Sequence, residues 1–182
     1  TLAVPLALSA QATASVFALE GAALAWLGLR QQRRLPQFAG AGLQLAAAAA
    51  FAIARANGVD AGTMVFNGNF MSALLIALAG FASAWAYRRE HKDDDAFDSI
   101  ALLYYGWGLL WWLGNGIHEF GRFLGNRDEP DALLAFFAMT GWLAAEVHRR
   151  RPAAALAWTA LAALASAAPL AIWQSSAHAQ PF

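Results

Sequence analysis

The chain has 182 residues and a mass of 19.4 kDa, with twelve basic and twelve acidic residues and no net charge. Apolar residues make up 59% of it and charged residues 13%, whereas soluble domains average about 45–50% and about 25%. This composition excludes a disordered chain, a nucleic-acid-binding protein and an ordinary globular enzyme, and it leaves a polytopic membrane protein. The lack of cysteine also excludes disulfides, thiolate zinc sites and iron–sulfur clusters.

Six apolar stretches are each long enough for a membrane-spanning helix, which needs about 20 residues. Strands are not expected, because the stretches show no alternation and exceed the usual strand length. The sequence therefore predicts an all-α fold, a polytopic transmembrane helical bundle of about six spans arranged as three hairpins in one transmembrane region, 1–182. The predicted spans are 9–29, 36–54, 70–87, 100–124, 131–147 and 153–173.

Local signals set several of these boundaries. Ser9 is the predicted cap of the first span, and we interpret the preceding segment, Leu2–Leu8, as the tail of an earlier element. Pro36 fits the first turn of the second span, where its missing N–H costs nothing. Pro169 lies near the end of the sixth span, and the tail from Gln174 onwards is polar.

Basic residues concentrate in alternate loops, which predicts how the chain is oriented in the membrane. Nine of the twelve Lys and Arg residues lie in loops 30–35, 88–98 and 148–152. Loops rich in Lys and Arg stay in the cytoplasm. We therefore expect these three loops to be cytoplasmic and both ends of this stretch to be outside.

A tryptophan precedes each basic cluster by a few positions, at Trp26, Trp85 and Trp142. Tryptophan is typical of the headgroup level of a membrane. The clusters begin about sixty residues apart, at 30, 88 and 149, so the chain reads as three similar hairpins. Regular spacing is also what an unduplicated six-span protein shows.

Two segments carry a resemblance to a known family. They are Ala18–Gln31, with the sequence ALEGAALAWLGLRQ, and Trp111–Phe123, with the sequence WWLGNGIHEFGRF. Both resemble stretches of domain-of-unknown-function family 2339, a bacterial family of predicted membrane proteins. The resemblance implies a multi-pass protein of the bacterial inner membrane and implies that this chain is a fragment of a larger one. It carries no established activity and no catalytic residues.

Glu20 is the one acidic residue well inside a predicted span. It lies ten residues before Arg30, about 15 Å along a helix, where a charge costs roughly 2.5–3.5 kcal/mol. Gln44 lies at a similar depth in the next span, so we expect a hydrogen bond between the two side chains. The alternatives are a proton or substrate site and a contact with another part of the protein.

A second polar group lies at the outer end of the fourth span, where the predicted site residues are Asn115, His118, Glu119 and Arg122. Their spacing of three and four places them on one helical face, which we expect to point into the bundle or a crevice. The simpler interpretation is an interfacial Glu119–Arg122 pair, and the alternative is a site for an anionic lipid, a glycan or a partner. Arg122 stands where a zincin has its second histidine, so no metal site is predicted.

The pattern favours a non-enzymatic scaffold or assembly subunit that requires no cofactor. Its expected partners are membrane lipids and further spans of the parent protein or other membrane subunits. A transporter of a lipid-linked or anionic solute, using Glu20 and the outer polar group, is one alternative. A membrane glycosyltransferase-like enzyme is another, with Asp128–Asp131 as its acidic cluster, although a role for Asp131 at a helix start is simpler.

Overall fold

The computed structural model of the chain describes residues 10–57, 62–90, 95–125 and 127–179. The regular elements in these ranges are all α-helices, which confirms the all-α prediction. In chain order they are α1 (Ala10–Arg30), α2 (Arg34–Asn57), α3 (Gly68–Glu90), α4 (Asp95–Phe123), α5 (Glu129–Arg150) and α6 (Ala154–Ala179). The predicted cap Ser9 and the segment Leu2–Leu8 lie outside the described residues.

Four of the six helices are long and apolar enough to cross a membrane. The stretches that meet this condition are Ala12–Arg30, Arg34–Ala56, Gly68–Glu90 and Ala154–Ser176. They belong to α1, α2, α3 and α6. Helices α4 and α5 overlap the predicted fourth and fifth spans, but they fall outside this group.

Helix α6 runs past Pro169 to Ala179, further than the predicted end at residue 173. Two serines beyond that point stay within the helix by donating to backbone carbonyls three residues earlier. Ser175 Oγ lies 2.8 Å from the carbonyl oxygen of Ile172, and Ser176 Oγ lies 2.7 Å from that of Trp173. Because their hydroxyls are satisfied inside the helix, these polar residues do not end it.

The turn between α1 and α2 is a Schellman motif, which explains how a hairpin forms in so few residues. The N–H of Arg33 donates to the carbonyl of Gly28 at 2.9 Å, and the N–H of Gln32 donates to that of Leu29 at 3.1 Å. Gln32 takes the left-handed conformation, with φ of 55°. Pro36 lies in the first turn of α2, as predicted.

The chain divides into two compact units, one through Asn115 and one from Gly116 onwards. In the first, α1 and α2 form a hairpin and α3 packs against both. Its core is built mostly of alanine, which lets the helix backbones come close together. The core residues are Ala14, Ala18, Ala47, Phe51, Ala73, Ile76 and Ala79, with Trp107 and Trp111 of α4 packed against them.

Glycines mark the closest helix contacts in the first unit. A Cβ placed on Gly40 would lie 2.5 Å from the carbonyl oxygen of Gly21, so α1 and α2 touch through their backbones. A Cβ on Gly80 would lie 2.9 Å from the Cα of Gly108, which brings α3 and α4 equally close. These two contacts define the first and second predicted hairpins.

In the second unit, α5 and α6 form the third hairpin. A Cβ on Gly141 of α5 would lie 2.7 Å from the Cβ of Ala163 of α6. The last turns of α4 also belong to this unit. There the Phe120 ring meets the Phe136 ring edge-on, with centroids 5.6 Å apart.

Candidate functional site

The predicted hydrogen bond between Glu20 and Gln44 is wrong. Gln44 is buried, with 2% exposure, and its Nε2 donates to Oγ of Ser83 at 2.8 Å, while Glu20 is exposed on α1. The predicted depth is nevertheless correct, because a Cβ on Gly21 would lie 2.9 Å from Cγ of Gln44. Successive helical residues point about 100° apart. Gly21 therefore faces α2, and Glu20 faces away from it.

Other polar side chains of the first unit also pair across helices. The Ser15 hydroxyl of α1 lies 3.2 Å from the Ser72 hydroxyl of α3. The Tyr87 hydroxyl of α3 donates to Oε1 of Gln37 on α2, also at 3.2 Å. Together with the bond from Gln44, these contacts tie α3 to both helices of the first hairpin.

Three buried polar atoms in the first unit have no hydrogen-bond partner among the described residues. They are Oε1 of Gln44 and the indole nitrogens of Trp107 and Trp111. The Trp111 ring packs edge-on against Phe51 and lies 5.8 Å from the Trp107 ring, which fixes both indoles in the core. An unsatisfied buried polar group costs about 1–3 kcal/mol. One acceptor and two donors inside the same unit therefore favour contact with water or a polar molecule.

The four polar residues near the end of α4 do not all point inward. Glu119 is buried, with 2% exposure, whereas His118 and Arg122 are exposed, so the prediction is wrong for these two. At about 100° per residue the four cover an arc of roughly 100°, with His118 and Glu119 at its opposite edges. Arg122 lies in the last turn, and its guanidinium stacks on the Phe123 ring at 4.9 Å.

Asn115 points into the bundle, as predicted, and bonds to a neighbouring helix. Its Nδ2 donates to the backbone carbonyl of Phe70 at 3.1 Å, at the start of α3. A side-chain donor directed at a backbone carbonyl of the first turn of a neighbouring helix holds the two helices in register. This contact is structural, and it leaves Asn115 less free to bind a ligand.

Sequence reasoning did not identify a cleft at the C-terminal ends of α1 and α3. It has a volume of about 510 Å³ and is lined by Trp26, Arg30, Trp85, Ala86, Arg89 and Glu90. Its signal in the sequence is a tryptophan followed four residues later by an arginine, which occurs in both helices. The sequence alone predicts only that these tryptophans lie at the membrane surface.

The third basic cluster is organised differently. In α5 the residue four positions after Trp142 is Glu146, and this carboxylate accepts hydrogen bonds from Arg149 at 2.9 Å and Arg150 at 2.7 Å. The hydrogen bond to Glu146 raises the pKa of the Arg149 guanidinium. The carboxylate thus offsets part of the positive charge of this cluster.

Three acidic residues lie at the N-terminus of α5, where the helix dipole favours negative charge. Asp128 occupies the N-cap position, without a side-chain capping bond, and Glu129 and Asp131 lie in the first turn. Negative charge at this end complements the helix dipole, which is the simpler role predicted for Asp131. Among the described residues, no three His, Asp or Glu side chains come together in a way that could hold a metal ion.

Long apolar helices packed through small residues, with aromatic and basic side chains at their ends, define a polytopic membrane protein. A family profile described as "Predicted membrane protein (DUF2339)" matches residues 1–182. The chain therefore belongs to that family, which is the one its two distinctive segments resemble. No curated protein and no solved structure shows a significant match to it.

Proposed function

We propose that this chain is a non-enzymatic scaffold or assembly subunit of the bacterial inner membrane. The observation that carries the proposal is the position of Glu20, an exposed acidic residue well inside the apolar helix α1. Among the described residues it makes no hydrogen bond or ion pair. Ionisable residues inside membranes almost always face a protein interior or a polar partner. A span outside this stretch of chain would supply that partner.

The exposed surface of α6 supports the same proposal. Only 6% of its apolar stretch is buried, and Trp158, Leu164 and Ile172 are each at least 70% exposed. Its many alanines allow another helix to approach closely. We further propose that loops 30–35, 88–98 and 148–152 face the cytoplasm, because they hold most of the Lys and Arg residues.

Substitution of Glu20 tests the proposal. In the full-length protein, Glu20→Leu should break up the native membrane complex, while Glu20→Gln, which keeps a hydrogen-bonding group at the same place, should preserve it. The isolated chain should melt at nearly the same temperature with either substitution, because Glu20 is exposed and makes no hydrogen bond or ion pair among the described residues. Native mass spectrometry of complexes extracted in mild detergent gives the composition. A complex that survives Glu20→Leu unchanged would remove the basis of the proposal.

A transporter of an anionic or lipid-linked solute is the second candidate, and the unsatisfied polar atoms of Gln44, Trp107 and Trp111 favour it. In a transporter, Gln44→Leu would abolish solute movement and leave the complex intact. In a scaffold, the same substitution changes only stability. Measuring the complex and the uptake of solutes with this one variant separates the two functions.

A further inference from the structure

The cleft at the ends of α1 and α3 holds two arginines in matching positions. The Arg30 guanidinium stacks on the Trp26 ring, and the Arg89 guanidinium stacks on the Trp85 ring, each with its Cζ 5.1 Å from the ring centroid. A spacing of four residues places each pair on one face of its helix. Stacking on a rigid indole restricts a flexible side chain, so each guanidinium keeps its donors at a defined place.

The charge of the cleft is not balanced within the described chain. Two guanidinium groups and the Glu90 carboxylate give +2 and −1, a net charge of +1 for the lining residues. Neither Arg30 nor Arg89 forms an ion pair with a described carboxylate. In α5, by contrast, the Glu146 carboxylate forms ion pairs with two arginines of its own cluster, Arg149 and Arg150. Within the described part of the chain, the guanidinium donors of the cleft have no carboxylate acceptor.

Both tryptophans of the cleft remain 44% exposed, so each ring offers a partly open apolar surface beside a charged group. Trp26 and Trp85 lie one turn before the end of a helix long enough to cross a membrane. At that level a phospholipid has its phosphate next to its glycerol and the first acyl carbons. Basic clefts between spans recognise such headgroups, and indole rings prefer the same interface.

We propose that this cleft binds the phosphodiester group of a membrane glycerophospholipid. Arg30 and Arg89 donate to the phosphate oxygens from opposite helices, and the two indoles pack against the glycerol and upper acyl chain. The net charge of +1 matches the single negative charge of a phosphodiester. A bound lipid would thereby link the ends of α1 and α3.

The test compares two pairs of substitutions that remove the same charge. Arg30→Gln with Arg89→Gln empties the cleft of its donors, and Arg33→Gln with Arg34→Gln removes two arginines of the adjacent turn that do not line it. Purified full chain is titrated with phosphatidylglycerol in detergent, and bound lipid is counted by native mass spectrometry. We expect the cleft variant to bind about tenfold or more weakly and the turn variant to bind nearly as well as the unsubstituted protein.

A second measurement needs no variant and so does not depend on folding. Phosphatidylglycerol should slow the modification of Arg30 and Arg89 by phenylglyoxal, relative to Arg33 and Arg34, as read by peptide mass spectrometry. Inorganic phosphate at the same concentration should protect them far less. Equal weakening in both double variants, or no selective protection, would overturn the proposal. Equal protection by inorganic phosphate would identify a free anion, and not a lipid, as the ligand.

Discussion

The hydrogen bond from Gln44 to Ser83 joins α2 to α3 through two buried side chains, and Ser83 is fully buried. Ser83→Ala leaves Nε2 of Gln44 without its acceptor. We expect it to lower the free energy of unfolding by about 1–2 kcal/mol. Gln44→Met combined with Ser83→Ala removes both polar groups and should recover most of that loss. Unfolding of the three proteins in detergent measures the difference, and a Ser83→Ala variant as stable as the original would contradict the assignment.

Glu20 shows which part of a site can be predicted from the sequence and which part cannot. Counting residues from the basic turn placed Glu20 and Gln44 at one depth, and Gly21 does pack against Gln44. The rotation of α1 about its own axis is set by packing against two other helices, and one residue of error turns a side chain by about 100°. The depth of a residue along its helix can therefore be predicted by counting residues from the turn. The direction in which its side chain points depends on how the helices pack together.

At the level of helices, the contact between α1 and α2 depends on the absence of a side chain at Gly40. Gly40→Ala forces a methyl group against the Gly21 carbonyl, so we expect a loss of about 1–3 kcal/mol. Gly42→Ala is the matched control, because a Cβ there meets nothing within 4 Å. That substitution should be neutral or stabilise by up to about 1 kcal/mol through helix propensity. In detergent, Gly40→Ala should lower the melting temperature, whereas Gly42→Ala should leave it unchanged or raise it.

Helix positions were largely predictable, because each apolar run is bounded by charged or turn-forming residues. Arg30 and Arg34 stand on either side of the first turn, as the basic stretch predicts. The extension of α6 is not predicted, because Pro169 and the polar residues from Gln174 onwards favour an end to the span, whereas the hydroxyls of Ser175 and Ser176 bond within the helix. The contacts made by glycine were not predictable, since many glycines in such helices, Gly42 among them, touch nothing.

For the whole molecule, composition and hydropathy are enough to predict the class of fold, because a bilayer permits few architectures. They do not predict a binding site that requires two helices to come together. The pairs Trp26–Arg30 and Trp85–Arg89 lie 59 residues apart in sequence, and each alone is an ordinary interfacial pair. Only the packing of α1 against α3 places the four side chains around one cleft.

The orientation of the protein in the membrane can be tested directly, because the chain contains no cysteine. Gln32→Cys and Arg150→Cys place a thiol in two of the basic loops, and Thr63→Cys and Arg127→Cys place one on the opposite side. The excess of Lys and Arg predicts that the first two react with an impermeant thiol reagent only after the cells are permeabilised, while the other two react in intact cells. Permeabilised cells provide the control that every introduced thiol is reachable. Reaction of Gln32→Cys in intact cells, with protection of Thr63→Cys, would reverse the orientation and move the arginine cleft to the outer surface of the membrane.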